Sequence, residues 1–164
     1  MFTSVGTSVQ RIDATAKVKG EALYPGDFSL KDQTYMKVLY AGRPHAIIRR
    51  LNTEKAEKLP GVIAVLTAKD VPVNEYGLIV YDQPVLCGLG STKKDADHVR
   101  YAAEQLALVI AETEEIAEKA LHLIEVDFED LPVISSIDEA VKPGAIRIHS
   151  EIENNIFHHF KIRK

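Results

Sequence analysis

Residues 62–67 (Val-Ile-Ala-Val-Leu-Thr) and 106–111 (Leu-Ala-Leu-Val-Ile-Ala) are apolar on both alternating faces, and these two runs constrain the fold most. Successive side chains of a strand point to opposite sides, so a run of this kind predicts a strand buried from both sides. The first run follows Pro60-Gly61, which stops a short helix predicted from Thr53 as N-cap through Leu59. Within that helix Glu54 and Lys58 form a favourable i,i+4 pair. The second run leads to Thr113, a cap for the clearest helix in the chain. Ile116, Ala117, Ala120, Leu121 and Ile124 make its apolar stripe, while Glu114, Glu115, Glu118, Lys119 and His122 face water. Glu115 and Lys119 stand in the preferred i,i+4 order. Strands interleaved with short helices give an α+β fold: a mixed sheet with one longer and one or two short helices.

The remaining elements are weaker. Residues 5–28 read as an extended lead-in with turns at Gly6, Gly20, Pro25 and Gly26. Strands are predicted over 34–40, 46–48 and 125–129, the last with Val126 and Phe128 on one face and acids on the other. Ser136 and Glu139 form a capping box for a helix to Val141, ended by Pro143-Gly144. Residues 145–149 and 156–162 are further strand candidates. The last of these reaches Lys164 in full alternation, as expected for a chain that continues in a larger protein. Residues 71–98 give no clear pattern. No Gly-x-Gly-x-x-Gly follows the first strand, which argues against a dinucleotide fold.

A length of 164 residues suffices for one core, or for a domain plus part of another. No apolar run approaches the ~20 residues that cross a bilayer, and Met1-Phe2-Thr3-Ser4 has no leader pattern. The lone Cys87 makes no internal disulfide, and a cytoplasmic protein is expected. The net charge of −4 conceals a polarity: residues 1–50 hold eight Lys/Arg against four Asp/Glu, and residues 112–130 hold eight Asp/Glu against Lys119 alone. The plain reading is that the two stretches solvate different faces. An acidic chain without interleaved basic and aromatic residues is not a nucleic-acid binder.

Catalysis requires a nucleophile with a base, paired carboxylates or a metal cage. Histidines 45, 98, 122, 149, 158 and 159 are dispersed, and adjacent His158 and His159 would point to opposite faces of a strand. His122 lies on the exposed side of its helix. Gly88-Leu89-Gly90-Ser91-Thr92-Lys93 lacks phosphate-loop spacing and reads as a flexible surface turn. Glu125, Asp127 and Glu129 share one strand face without the spacing of a calcium loop. Cys87 reads as a small apolar filler. No residue is nominated as catalytic, cofactor-binding or metal-ligating.

Several segments nevertheless carry a resemblance when taken together. Gly6, Arg11-Ile12-Asp13, Lys17-Val18-Lys19-Gly20-Glu21-Ala22-Leu23-Tyr24 and Asp27 come first. Pro44-His45-Ala46 with Ile48, then Pro60-Gly61-Val62 with Ala64-Val65-Leu66-Thr67-Ala68 and Asp70, follow. Last come Val99-Arg100-Tyr101, residues 107–111, Ala117 with Ala120, and Ile124-Glu125-Val126 with Phe128-Glu129 and Leu131-Pro132. In this order they resemble the N-terminal α/β hammerhead region of molybdenum hydroxylase large subunits, the xanthine dehydrogenase and aldehyde oxidase family. Two departures stand out. His45 is alone where the family usually has His-Ala-His, and Ala103 stands where the family has a Gly before Glu104.

The resemblance implies a hammerhead domain over residues 1–145 and the start of a molybdopterin-binding region over 146–164. The complete enzyme would hydroxylate an N-heterocycle or an aldehyde with oxygen from water. It would hold a molybdenum–molybdopterin cofactor, 2Fe-2S clusters and FAD, and its partners would be the rest of the large subunit with iron–sulfur and FAD subunits. The family's catalytic residues lie downstream, so none of these groups is expected to sit on this chain. Three readings stand at this point: a piece of such an enzyme, a free-standing assembly module that kept the fold, or an unrelated small enzyme.

Overall fold

The computed structural model describes residues 5–163; the leader reading at residues 1–4 and the final Lys164 lie outside them. The chain forms two units, one ending at Gln33 and the other beginning at Thr34. In the first, helix α1 (Ala14–Lys19) interrupts what the sequence predicts to be extended. Asp13 accepts from Lys17 one turn on and from Arg11, and Gly20, at φ 72°, ends the helix. A left-handed backbone at that point favours glycine. No residue of α1 is buried.

The second unit is built from two three-stranded sheets. Strands β1 (Tyr35–Tyr40), β2 (Ala46–Asn52), β3 (Val62–Thr67), β4 (His98–Val99), β5 (Gln105–Ala111) and β6 (Glu125–Asp130) assemble as β1-β5-β3 and β4-β2-β6, with every pairing antiparallel. Helices α2 (Glu54–Glu57), α3 (Glu114–Leu121) and α4 (Ile137–Ala140) complete it, and the α+β class is the observed one. Thr113 caps α3 as the sequence predicts, its hydroxyl accepting from the Ile116 N–H at 3.2 Å. Ala117 and Ala120 are fully buried, and Ile116 and Leu121 pack at their sides.

In the first sheet, register assigns residues to faces. The rows Tyr35–Ala111–Val62, Lys37–Val109–Val65 and Leu39–Ala107–Thr67 turn toward α2 and α3. Leu106 falls in the irregularity opposite Leu39/Tyr40, without a partner on β1. It is 1% exposed in a second apolar cluster with Ala46, Ile48, Cys87 and Val99. Leu39, Leu51 and Val126 touch both clusters and join them into one core.

Four expectations need correction. β3 is an edge strand with Ile63 55% and Leu66 36% exposed, not a strand covered on both sides, because α2 and α3 pack on one face of its sheet and leave the other open. Residues 145–149 and 156–162 form no strands: turns and bends occupy 148–155, Asn155 accepts from the Ile148 N–H and donates to the Ala140 and Ile146 carbonyls, and Asn154 accepts from the Ile156 N–H, taking up backbone groups a ladder would use. The Gly88 turn is not a loose surface feature, since Leu86, Cys87 and Gly88 are buried. Finally, the two charged stretches do not solvate separate faces; they meet. Arg49 pairs with Glu129, Arg50 with Asp127 at 2.8 Å, Arg43 with Asp130 at 3.5 Å, and Lys37 with Glu114 at 2.6 Å and Glu118 at 3.8 Å. The antiparallel pairing of β2 with β6 lays the basic segment beside the acidic one.

Candidate functional site

A group of titratable side chains, Glu104 buried and His149 half-buried among them, surrounds the start of β5. Asp82, Gln83, Pro84, Arg100, Tyr101, Glu104 and His149 line a cleft of about 340 Å³. Sequence reasoning missed this grouping, because the residues come from three separated loops and no spacing links them.

Arg100 organises the cleft as a clamp. Its guanidinium donates to three backbone carbonyls: Ile148 at 3.1 Å, His98 at 3.2 Å and Asp95 at 3.4 Å. This fastens the segment after α4 to the end of β4. Glu104 is 5% exposed, and burial raises its carboxyl above the ordinary range, with Arg100 opposing the rise. Burial, then the Arg100 charge, lowers His149 below the usual imidazole range. Burial, then Glu104, raises the Tyr101 phenol. The guanidinium is spent on carbonyls, and the arrangement holds chain segments together.

The other sequence candidates lie apart from this cleft. His45 is buried, and its Nδ1 lies 2.7 Å from the Pro132 carbonyl, to which it donates; the Leu131 N–H donates back to the His45 carbonyl at 2.9 Å. A single histidine thus ties the entry of β2 to the chain leaving β6. Cys87 is fully buried, and burial drives its thiol far up, so it is the apolar filler the sequence suggests and no nucleophile. His122 is exposed on α3. His158 and His159 are not on a strand; the His158 ring stacks edge-on to Phe160 at 4.1 Å. Glu125, Asp127 and Glu129 are each paired with cations from β2 or α2.

Asn74, 1% exposed, is a further buried polar group that sequence reasoning did not find. Its amide donates to the Leu86 carbonyl and the Ser91 hydroxyl, each at 2.8 Å, and accepts from the Leu86 N–H at 2.9 Å. One side chain replaces a strand partner for Leu86 and holds the Gly88 turn against the core.

Among the described residues no three His, Cys, Asp or Glu side chains come together as a metal site. The donor set fits neither an iron–sulfur cluster, which needs several thiolates, nor a metal cage.

The whole-chain pattern decides the family. Residues 19–132 match the family model "Aldehyde oxidase and xanthine dehydrogenase, a/b hammerhead domain". The chain belongs to this family. It is 46% identical over 149 residues to a probable xanthine dehydrogenase subunit of Bacillus subtilis, covering 90% of this chain and 19% of that one. It is 30% identical over 151 residues to the nicotinate dehydrogenase large molybdopterin subunit of Eubacterium barkeri, covering 92% of this chain and 34% of the relative. Among solved structures, quinoline 2-oxidoreductase from Pseudomonas putida 86 superposes with a TM-score of 0.77 at 30% identity, over 92% of this chain and 19% of that chain. The chain therefore spans between about a fifth and a third of the length of these relatives.

The family departure at Ala103 is absorbed locally. Asp32 and Asp95 are the non-glycine residues with positive φ among those described, so the turn at Ala103 forms without the left-handed backbone a glycine would allow.

Proposed function

We propose that this hammerhead chain is the N-terminal piece of the large subunit of a molybdenum hydroxylase, one that oxidises an N-heterocycle or an aldehyde with oxygen from water. The observation that carries the reading is the match at 46% identity across 90% of this chain to only 19% of a probable xanthine dehydrogenase subunit. The piece contributes shape and no reacting group. Its titratable cleft is a clamp, its one thiol is buried, and its carboxylates on β6 are neutralised by β2 and α2. In the complete enzyme the molybdenum–molybdopterin cofactor supplies the oxidation chemistry, with 2Fe-2S clusters and FAD carrying electrons. The described residues hold no group of three His, Cys, Asp or Glu side chains for a metal centre, which supports reading this chain as holding no step of the reaction. Residues 1–145 act as the hammerhead unit, residues 146–164 lead into the molybdopterin-binding region, and the enzyme works in the cytoplasm.

The test is a graft. This chain replaces its aligned segment in the full Bacillus subtilis relative, and molybdenum content and hydroxylase turnover are measured against the parent. Retention of metal and of turnover on purine substrates supports the reading. A soluble graft that has lost its molybdenum, or an isolated chain that binds stoichiometric molybdenum or flavin, overturns it.

A further inference from the structure

The first sheet has a second face, and it is bare. Register sets Met36, Ile110 and Ala64 in one row and Val38, Leu108 and Leu66 in the next, all apolar. Ile63 and Tyr40 extend the surface at its rim. Both helices that pack on this sheet, α2 and α3, lie on the opposite side. Met36 is 56% exposed, Ile63 55%, Tyr40 53% and Leu66 36%. Six apolar residues in two rows across three strands, without a charge among them, have the character of a domain core cut in half. Obligate interfaces share that character. Exposed sheets are ordinarily protected by inward or edge charges, and this face has none.

We infer that this face is the docking surface for the remaining polypeptide of the same large subunit, an apolar layer packed flat on Met36, Val38, Ala64, Leu66, Leu108 and Ile110. The inference rests on the reading proposed above and adds the surface to it. Two observations choose the occupant. The fold of this chain recurs with TM-scores of 0.74 to 0.78 inside single chains of which it makes up 17% to 20%, so most of each such chain lies outside the matched part. The charged side of the other sheet is already satisfied by its own ion pairs, whereas the bare face sets apolar side chains of three adjacent strands side by side in continuous rows.

Thiol footprinting tests this. Met36→Cys and Leu66→Cys report on the bare face, and Glu129→Cys on the ion-paired side; native Cys87 is buried and silent. Each variant is treated with a maleimide as the isolated chain and as the graft in the full Bacillus subtilis relative. The expected result is fast labelling of all three in the isolated chain, with positions 36 and 66 slowed about tenfold or more in the graft and position 129 unchanged. A soluble, molybdenum-loaded graft in which 36 and 66 label as fast as in the isolated chain overturns the docking face while the functional reading stands. An isolated chain that sediments as a dimer with 36 and 66 already protected assigns the face to a second copy, and overturns the inference. A graft that fails to fold while the isolated chain folds overturns the functional reading and the docking face with it.

Discussion

The two sheets share strand number and antiparallel pairing, and differ in how their outward faces end. On β4-β2-β6 the outward side chains are Arg49, Arg50, Asp127 and Glu129, all about half exposed and paired across the ladder. On β1-β5-β3 the corresponding surface is Met36, Val38, Leu108, Ile110 and Leu66. One sheet is finished by its own charges; the other needs something laid on it. The difference is one of composition on a shared plan: where β2 and β6 set arginines against acids, β1, β5 and β3 set apolar side chains against one another.

The comparison can be broken most forcefully from inside. Leu106→Ala empties the position where the irregularity of β5 turns a side chain into the second cluster, and should cost ~2–5 kcal/mol in a denaturant melt. A loss as small as that of a surface change would mean the two clusters are not one core. Gly61→Ala comes next. Gly61 has φ 88°, and a Cβ there would sit 2.6 Å from Ile116 Cδ1, so strain and contact together should cost roughly 1–3 kcal/mol. Leu121→Ala, on a half-buried side chain of α3, should cost about 1–2 kcal/mol, less than a fully buried leucine.

Acid titration sharpens the contrast between the clamp cleft and the solvated ladder. Burial raises the folded pKa of Glu104 above its ordinary 4.5. A group raised on folding adds stability below its unfolded pKa and loses it as pH rises through the folded value. Glu104→Gln should therefore melt higher than the parent at neutral pH, with the gain vanishing as pH falls toward 4.5. A gain that persists unchanged in acid would remove burial as the cause. The smallest effect belongs to the bare face: Leu66→Lys in the isolated chain should stay within about 0.5 kcal/mol and improve solubility. A large loss would mean the face is covered within this chain.

Much of the second unit was legible because its signals are local. The Thr113 cap, the stripe through Ala117 and Ala120, and the alternation of 125–129 each depend on residues within a turn or two. Ser136 shows where local reading stops: its hydroxyl accepts from the Glu139 N–H as a capping box requires, but the Glu139 carboxylate takes the N–H of Ser135 instead of that of Ser136. The bare face was misread for a different reason. A doubly apolar run looks the same whether its second cover comes from this chain or from elsewhere, so β3 read as buried on both sides. The cleft and Asn74 left no trace in the pattern, because Asp82, Arg100, Glu104 and His149 meet only once the loops have closed. Residues 145–149 and 156–162 alternate like strands, yet Asn155 takes backbone groups of Ile146 and Ile148, Asn154 takes the Ile156 N–H, and a ladder never starts.

The strand order also sets a timetable for synthesis. β1 and β3 are edges of a sheet whose middle strand, β5, leaves the ribosome 65 residues after β1 ends, and β2 waits for β6, joined to it by pairs 77 and 80 positions apart. At roughly 5–20 residues per second, the first strands spend several seconds emerged and unpaired. Neither sheet can close before residue 111 appears, and the second waits until residue 130. A nascent chain of this design is most exposed to chaperones, proteases and wrong partners in its first hundred residues, and the opposite charges of its two ends then attract the late strand β6 to the early strand β2.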